Sequence, residues 1–100
     1  MTLSTIKTIP ISLNELGFIM VNVIKENTID FVLQELSNKT PIMAGTNKVY
    51  TVITTDDGYV GMAKRSLTSG RRDEQNYETG ITVAAIRLAR YLYKERKDKK

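Results

Sequence analysis

The side chains in this sequence best suited to chemistry are arginines and lysines, which concentrate in its last 37 residues. Residues 64–100 carry eleven basic and five acidic side chains (11 − 5 = +6), whereas residues 1–63 carry four and six (4 − 6 = −2). Arginine binds phosphate oxygens through paired N–H donors, so this asymmetry predicts an anionic ligand. The candidate ligand-binding residues are Lys64, Arg65, Arg71, Arg72, Arg87, Arg90 and Lys94.

A purely solvating role for these charges is the alternative. Asp73, Glu74 and Glu78 follow the loop arginines closely in sequence and would neutralise them locally. A charged stripe on a helix is also often an ordinary solvated face. Both interpretations stay open at this stage.

Apolar and aromatic side chains near the basic residues suggest two further roles. Tyr59 and Tyr77 are candidates for stacking on a nucleotide base. Val83, Ile86 and Tyr93 flank the basic stripe of the predicted C-terminal helix instead of its core stripe. We therefore expect these three residues to form a self-association surface in a homo-oligomer.

The composition argues against catalysis. The chain has no histidine and no cysteine, so the commonest general base, metal ligand and nucleophile are missing. The adjacent carboxylates Asp56-Asp57 and Asp73-Glu74 occur where turns or caps are expected, and neither Gly45 nor Gly58 begins a phosphate-binding fingerprint. We expect a binding protein that is not an enzyme and uses no metal or cofactor.

The length of 100 residues predicts one domain, residues 1–100, with 97–100 as a frayed basic tail. The longest uncharged apolar stretch, residues 16–24, is much shorter than the roughly 20 residues that span a bilayer. The amino terminus lacks the pattern of a signal peptide, and the lack of cysteine suits a reducing compartment. We therefore expect a cytoplasmic location in a host cell and no membrane partner.

Two elements have clear signals. Residues 48–55 are rich in β-branched and aromatic side chains, Asp57-Gly58 is a turn sequence, and residues 59–64 resume the pattern, which predicts a β-hairpin. Residues from about 77 to 96 predict a helix, because apolar residues recur there at helical spacing. Its core stripe is Ile81, Ala84, Ala85, Leu88 and Leu92.

Residues 12–36 are ambiguous. Ser12 and Glu15 form a capping-box pattern that indicates a helix, but the β-branched residues of 18–25 and the alternation in 28–34 indicate strands. We favour strands that extend the hairpin, and expect residues 38–47 to form a loop. Either alternative gives an α+β fold, with a small antiparallel sheet packed on an amphipathic C-terminal helix.

The second half of the chain also resembles a group of small orphan proteins encoded by phages and prophages of low-GC Gram-positive bacteria. The resemblance rests on the Asp57-Gly58 hairpin and on the sequence Glu78-Thr79-Gly80 at the start of an Ala-rich helix. The chain departs from that group by a longer basic loop, residues 64–72, and by Gln75, where such proteins often carry an aromatic residue. The resemblance implies a phage accessory protein.

These observations lead to three functional hypotheses. The first is a counter-defence protein that binds and sequesters an anionic, nucleotide-like immune signal. The alternatives are an inhibitor that docks on a host defence protein, in the manner of an anti-CRISPR protein, and a nucleic-acid-binding protein that uses the basic C-terminal stripe.

Overall fold

A computed structural model describes residues 6–39, 42–47, 49–64 and 75–98 and has an α+β fold. Four strands form one antiparallel sheet in the order β1-β2-β3-β4. The strands are β1 (Thr8–Ile11), β2 (Ile42–Thr46), β3 (Tyr50–Thr55) and β4 (Val60–Lys64). The helices are α1 (Leu13–Met20), α2 (Glu26–Leu36), a short 3-10 turn (Ser37–Lys39) and α3 (Gln75–Asp98).

The predicted hairpin and C-terminal helix are confirmed. Strands β3 and β4 pair with Thr54 opposite Val60, and Gly58 in the turn has a φ of 97°, which L side chains rarely adopt. Helix α3 extends the predicted helix by a turn or less at each end. The α+β prediction is therefore correct, with the sheet packed on this helix.

The predicted strands at 18–25 and 28–34 are wrong, because both segments lie in helices or in the turn between them. The capping box forms as the sequence pattern suggested: Ser12 Oγ accepts from the Glu15 N–H, and Glu15 accepts from the Ser12 N–H. In α2, the β-branched residues Ile29 and Val32 lie on the buried face. Burial of that face offsets their weak helix propensity.

The predicted loop at residues 38–47 is also wrong, because residues 42–46 form β2 at the centre of the sheet. Gly45 resembles a turn residue in sequence, but it lies within β2 where β1 packs closely against it. A Cβ atom there would lie 2.9 Å from the side chains of Ile6 and Thr8 and closer still to the Lys7 carbonyl oxygen. The glycine thus allows β1 to approach β2.

All three helices cover one face of the sheet. Ile42, Ile53 and Ala63 point from that inner face into a single core with Leu16 and Leu88. The outer face of the sheet contributes no residue to this core cluster among the described residues. It includes Thr8, Pro10, Met43, Tyr50, Thr54, Val60, Met62 and Lys64.

Helix α3 lies directly on β4. A Cβ atom at Gly61 would lie 2.6 Å from Leu88 Cβ, and one at Gly80 would lie 2.7 Å from Thr51 Oγ1. Glycine at both positions therefore sets how closely α3 approaches the sheet. Within the described part of the chain, no helix is long and apolar enough to cross a bilayer.

Both edges of the sheet carry an obstacle to further strand pairing. Pro10 removes one N–H donor from the edge strand β1. At the other edge, Arg87 Nη1 donates to the carbonyl oxygen of Met62 at 3.0 Å. These features are typical of edge strands that resist pairing with another chain.

Candidate functional site

Four cations form a ridge on the exposed side of α3, which we call the basic ridge. It consists of Arg87, Arg90, Lys94 and Lys97, all exposed. At 3.6 residues per turn these positions fall within an arc of about 80° and extend about 15 Å along the helix axis. The ridge is therefore a convex, linear array of positive charge.

The cations of the ridge differ in their partners from Lys39 and Arg96, the two described cations that form salt bridges. Salt bridges among the described residues join Lys39 to Asp57 at 2.8 Å and Arg96 to Glu35. Arg90 and Lys94 have no such partner, although Asp98 follows Lys94 by four residues.

Neighbouring cations on the ridge also repel one another. Arg87 and Arg90 are three residues apart, Arg90 and Lys94 four, and Lys94 and Lys97 three. Like charges at these spacings destabilise a helix by a few tenths of a kcal/mol per pair. The arrangement therefore weakens the helix that carries it.

The hydrogen bond from Arg87 to Met62 places the ridge beside the edge of β4. Lys64, another predicted ligand-binding residue, ends this strand as an exposed side chain opposite Tyr50 on the outer face. Arg65, Arg71 and Arg72 lie outside the described residues. The described part of the predicted anion site is therefore one face of α3 with the end of β4.

A second polar region surrounds Tyr59, between the end of α2, the β3–β4 turn and the second half of α3. It is a groove of about 510 Å³. The Tyr59 hydroxyl donates to Glu95 at 3.1 Å, and Tyr91 donates to the same carboxylate at 3.2 Å. These hydrogen bonds, with the negative charge of Glu95, raise the pKa of both tyrosines above the ordinary value.

Lys39 closes this groove beside Tyr59. Its Nζ lies 4.7 Å from the centroid of the Tyr59 ring and donates to Asp57. The hydrogen bond from Lys39 is the main cause of the lowered pKa of Asp57, and a second hydrogen bond, from Thr55 Oγ1, lowers it further. The hydrogen bond to Asp57 in turn raises the pKa of Lys39. The cations of the groove are thus already neutralised by carboxylates, unlike those of the basic ridge.

The two predicted stacking tyrosines lie at opposite ends of α3. Tyr59 contacts Tyr91, with ring centroids 5.7 Å apart, whereas Tyr77 is in the first turn and lines an apolar groove with Ile9 and Phe18. The fourteen residues from Tyr77 to Tyr91 correspond to about 21 Å of helix. The structure therefore does not bring these two rings to one site.

The predicted self-association residues have different environments. Val83 and Ile86 are partly buried against the core, so packing within one copy accounts for them. Tyr93 is 41% exposed and meets Phe31 edge to face, with ring centroids 5.9 Å apart. The guanidinium of Arg96 lies 5.3 Å from the centre of the same ring.

Three exposed residues beside the ridge were not predicted as part of a site. They are Val60 (51% exposed), Met62 (44%) and Tyr91 (49%). The alternation of β4 could have revealed the first two, because Gly61 and Ala63 face α3 and leave the larger side chains pointing outward.

Comparisons with protein-family models, curated proteins and solved structures find no match to this chain. Among the described residues there is also no group of three or more acidic side chains placed to hold a metal ion. The geometry of the basic ridge and its surroundings is therefore the basis for assigning a function.

Proposed function

We propose that this chain is a non-enzymatic protein that binds nucleic acid through the basic ridge of α3. The observation that carries the proposal is the alignment of four exposed cations along one face of α3. Lys39 and Arg96 are neutralised by carboxylates, whereas Arg90 and Lys94 have no carboxylate partner among the described residues. Aligned, self-repelling cations suit an external polyanion, whose phosphates remove the repulsion.

The shape of the ridge favours an extended polyanion over a small nucleotide. Small ligands are usually held in concave sites where a few polar groups converge. Arg87, Arg90 and Lys94 instead follow one another along a convex helix face. Sequestration of a nucleotide-like signal would need other residues, such as Arg65, Arg71 and Arg72. It stays an alternative, which native mass spectrometry distinguishes from nucleic-acid binding.

We also propose that the protein acts during phage infection, in the cytoplasm of the host cell. The resemblance to phage-encoded proteins supports an accessory role during infection. The lack of cysteine suits the reducing cytoplasm.

Fluorescence anisotropy with a labelled single-stranded oligonucleotide of about 16 nucleotides tests this function. This length is at the upper end of the site sizes of single-strand-binding domains. Each phosphate contact releases counterions, so affinity falls as salt rises. Four contacts predict a slope of about −2.8 in log K against log salt for a single strand, measured between about 50 and 200 mM salt.

The variant Arg90→Gln/Lys94→Gln removes two of the four contacts and should halve this slope to about −1.4. Lys7→Gln/Lys25→Gln is the matched control, because it removes the same charge from exposed positions away from the ridge. We expect the control to keep the slope of the unmodified protein. Equal slopes for the two double variants would overturn the ridge as the binding surface.

Native mass spectrometry of the protein taken from cells with nucleotide-based immune systems separates the alternatives. A bound mass of nucleotide size, together with no oligonucleotide binding, would replace the proposal with signal sequestration. A stable complex with a host protein and no oligonucleotide binding would replace it with a docking inhibitor.

A further inference from the structure

The basic ridge has an apolar neighbour, which we call the apolar strip: Val60, Met62 and Tyr91. About half of each side chain is exposed, and none belongs to the core cluster. On the inner face of the two central strands, by contrast, Ile42 and Ile53 are fully buried. Packing within the described part of the chain therefore leaves about half of each of these side chains accessible to a ligand.

The ridge and Tyr91 meet the edge of β4, the strand that carries Val60 and Met62 on its outer face. Arg87 of the ridge donates to the carbonyl oxygen of Met62 at 3.0 Å. Tyr91 follows Arg87 by one helical turn and contacts Tyr59, the residue immediately before Val60. Phosphate-binding cations and an exposed ring therefore lie side by side along the edge of β4.

We infer that the ligand of this surface is single-stranded nucleic acid, with phosphates on the basic ridge and unstacked bases against the apolar strip. This inference rests on the proposed function and narrows its ligand. Single-strand-binding surfaces combine cations that follow the backbone with side chains that receive bases. A duplex keeps the faces of its bases inside the helix, so it would use the ridge and leave the strip in water.

The position of Tyr91 on its helix supports a stacking role. Its ring is held at one side by Tyr59 and its hydroxyl by Glu95, so the ring is ordered before any ligand arrives. An aromatic side chain already fixed in place loses little conformational entropy on binding. Tyr59 itself is less available, because Lys39 lies over its ring and Tyr91 contacts it.

The test compares a single-stranded oligonucleotide with a duplex of the same number of phosphates, using Tyr91→Leu and Tyr91→Phe. Tyr91→Leu removes the ring and should weaken single-strand binding about tenfold, within the range measured for stacking side chains, while duplex binding stays unchanged. Tyr91→Phe keeps the ring and loses only the hydrogen bond to Glu95, so it should bind like the unmodified protein.

Met62→Ser is a second variant that keeps the inference testable if loss of Tyr91 disturbs the fold. Met62 is exposed on the outer face of an edge strand, so its substitution leaves the core intact. We expect single-strand affinity to fall several-fold. Polyglutamate, a polyanion without bases, should compete for the unmodified protein less effectively than the oligonucleotide.

The outcomes separate this inference from the proposed function. If Tyr91→Leu and Met62→Ser bind the single strand normally, or polyglutamate competes equally well, the strip does not receive bases and the inference is overturned. The ridge would still stand as a nucleic-acid site if its salt slope responded to Arg90→Gln/Lys94→Gln. If the unmodified protein shows no salt-dependent binding of either oligonucleotide, both the inference and the proposed function are overturned.

Discussion

Gly61→Ala tests the close packing of α3 on β4, which positions the whole candidate site. The new methyl carbon would lie closest to the Ala84 carbonyl oxygen and 2.6 Å from Leu88 Cβ. Ordinary contact begins at 3.4 Å, so relief of the Leu88 contact alone requires the helix to withdraw by about 0.8 Å (3.4 − 2.6). A gap of that size removes a quarter to a half of the dispersion energy of each affected contact.

The expected magnitude follows from two opposing effects. Overpacking a core typically costs about 1–3 kcal/mol, and replacing glycine by alanine within a strand returns about 0.5–1 kcal/mol. We predict a net loss of about 1.5 kcal/mol in the free energy of unfolding. For a domain of this size that loss lowers Tm by roughly 6–12 °C.

Thermal unfolding followed by circular dichroism measures the effect, and Gly17→Ala provides the matched control. In α1 the added Cβ would meet only Leu33 Cδ1, the end of a flexible side chain, at 3.3 Å. Alanine improves helix propensity by about 0.8–1.0 kcal/mol, so this variant should melt at or above the temperature of the unmodified protein. A Gly61→Ala protein that behaves in the same way would refute the close approach of α3 to β4.

Two other substitutions test particular side chains. Thr82 is fully buried in α3, and its Oγ1 has no hydrogen-bond partner among the described residues. Thr82→Val should therefore raise the free energy of unfolding, measured by urea titration, by about 1 kcal/mol. A loss of stability would show that the hydroxyl has a partner. Because Lys39 lowers the pKa of Asp57, the contribution of this carboxylate is complete above the ordinary aspartate value of about 3.9 and is lost as the pH falls through the folded-state value. In the Asp57→Asn variant, Tm should therefore fall less on acidification than in the unmodified protein. An identical fall of Tm at acid pH in the two proteins would contradict the pairing of Asp57 with Lys39.

The elements that could be predicted from sequence are those with strong local signals. Asp57-Gly58 marks its turn whatever surrounds it, because the backbone there needs a positive φ. The apolar stripe of α3 is long enough to define both the helix and the exposed position of its cations. This part of the sequence therefore predicts the helix and the exposed positions of Arg87, Arg90 and Lys94, whereas Lys97 falls in the segment predicted as a frayed tail.

The first half of the chain was harder to predict because tertiary packing decides its structure. Ile29 and Val32 favour a strand locally but are buried in α2, and Gly45 resembles a turn residue although it lies in a central strand. In β4 the inward residues are Gly61 and Ala63, so the larger apolar side chains face outward. A rule that assigns every large apolar residue to the core misses such a strip, although the alternation of small and large residues in β4 indicates it.

The obstructed edges of the sheet determine how copies of this chain can meet. A sheet with two open edges can add a further copy at each edge and grow into fibres, whereas a contact related by a two-fold axis closes after two copies. Pro10 and the Arg87 contact to Met62 both act against the first route. Growth into filaments through strand pairing is therefore disfavoured.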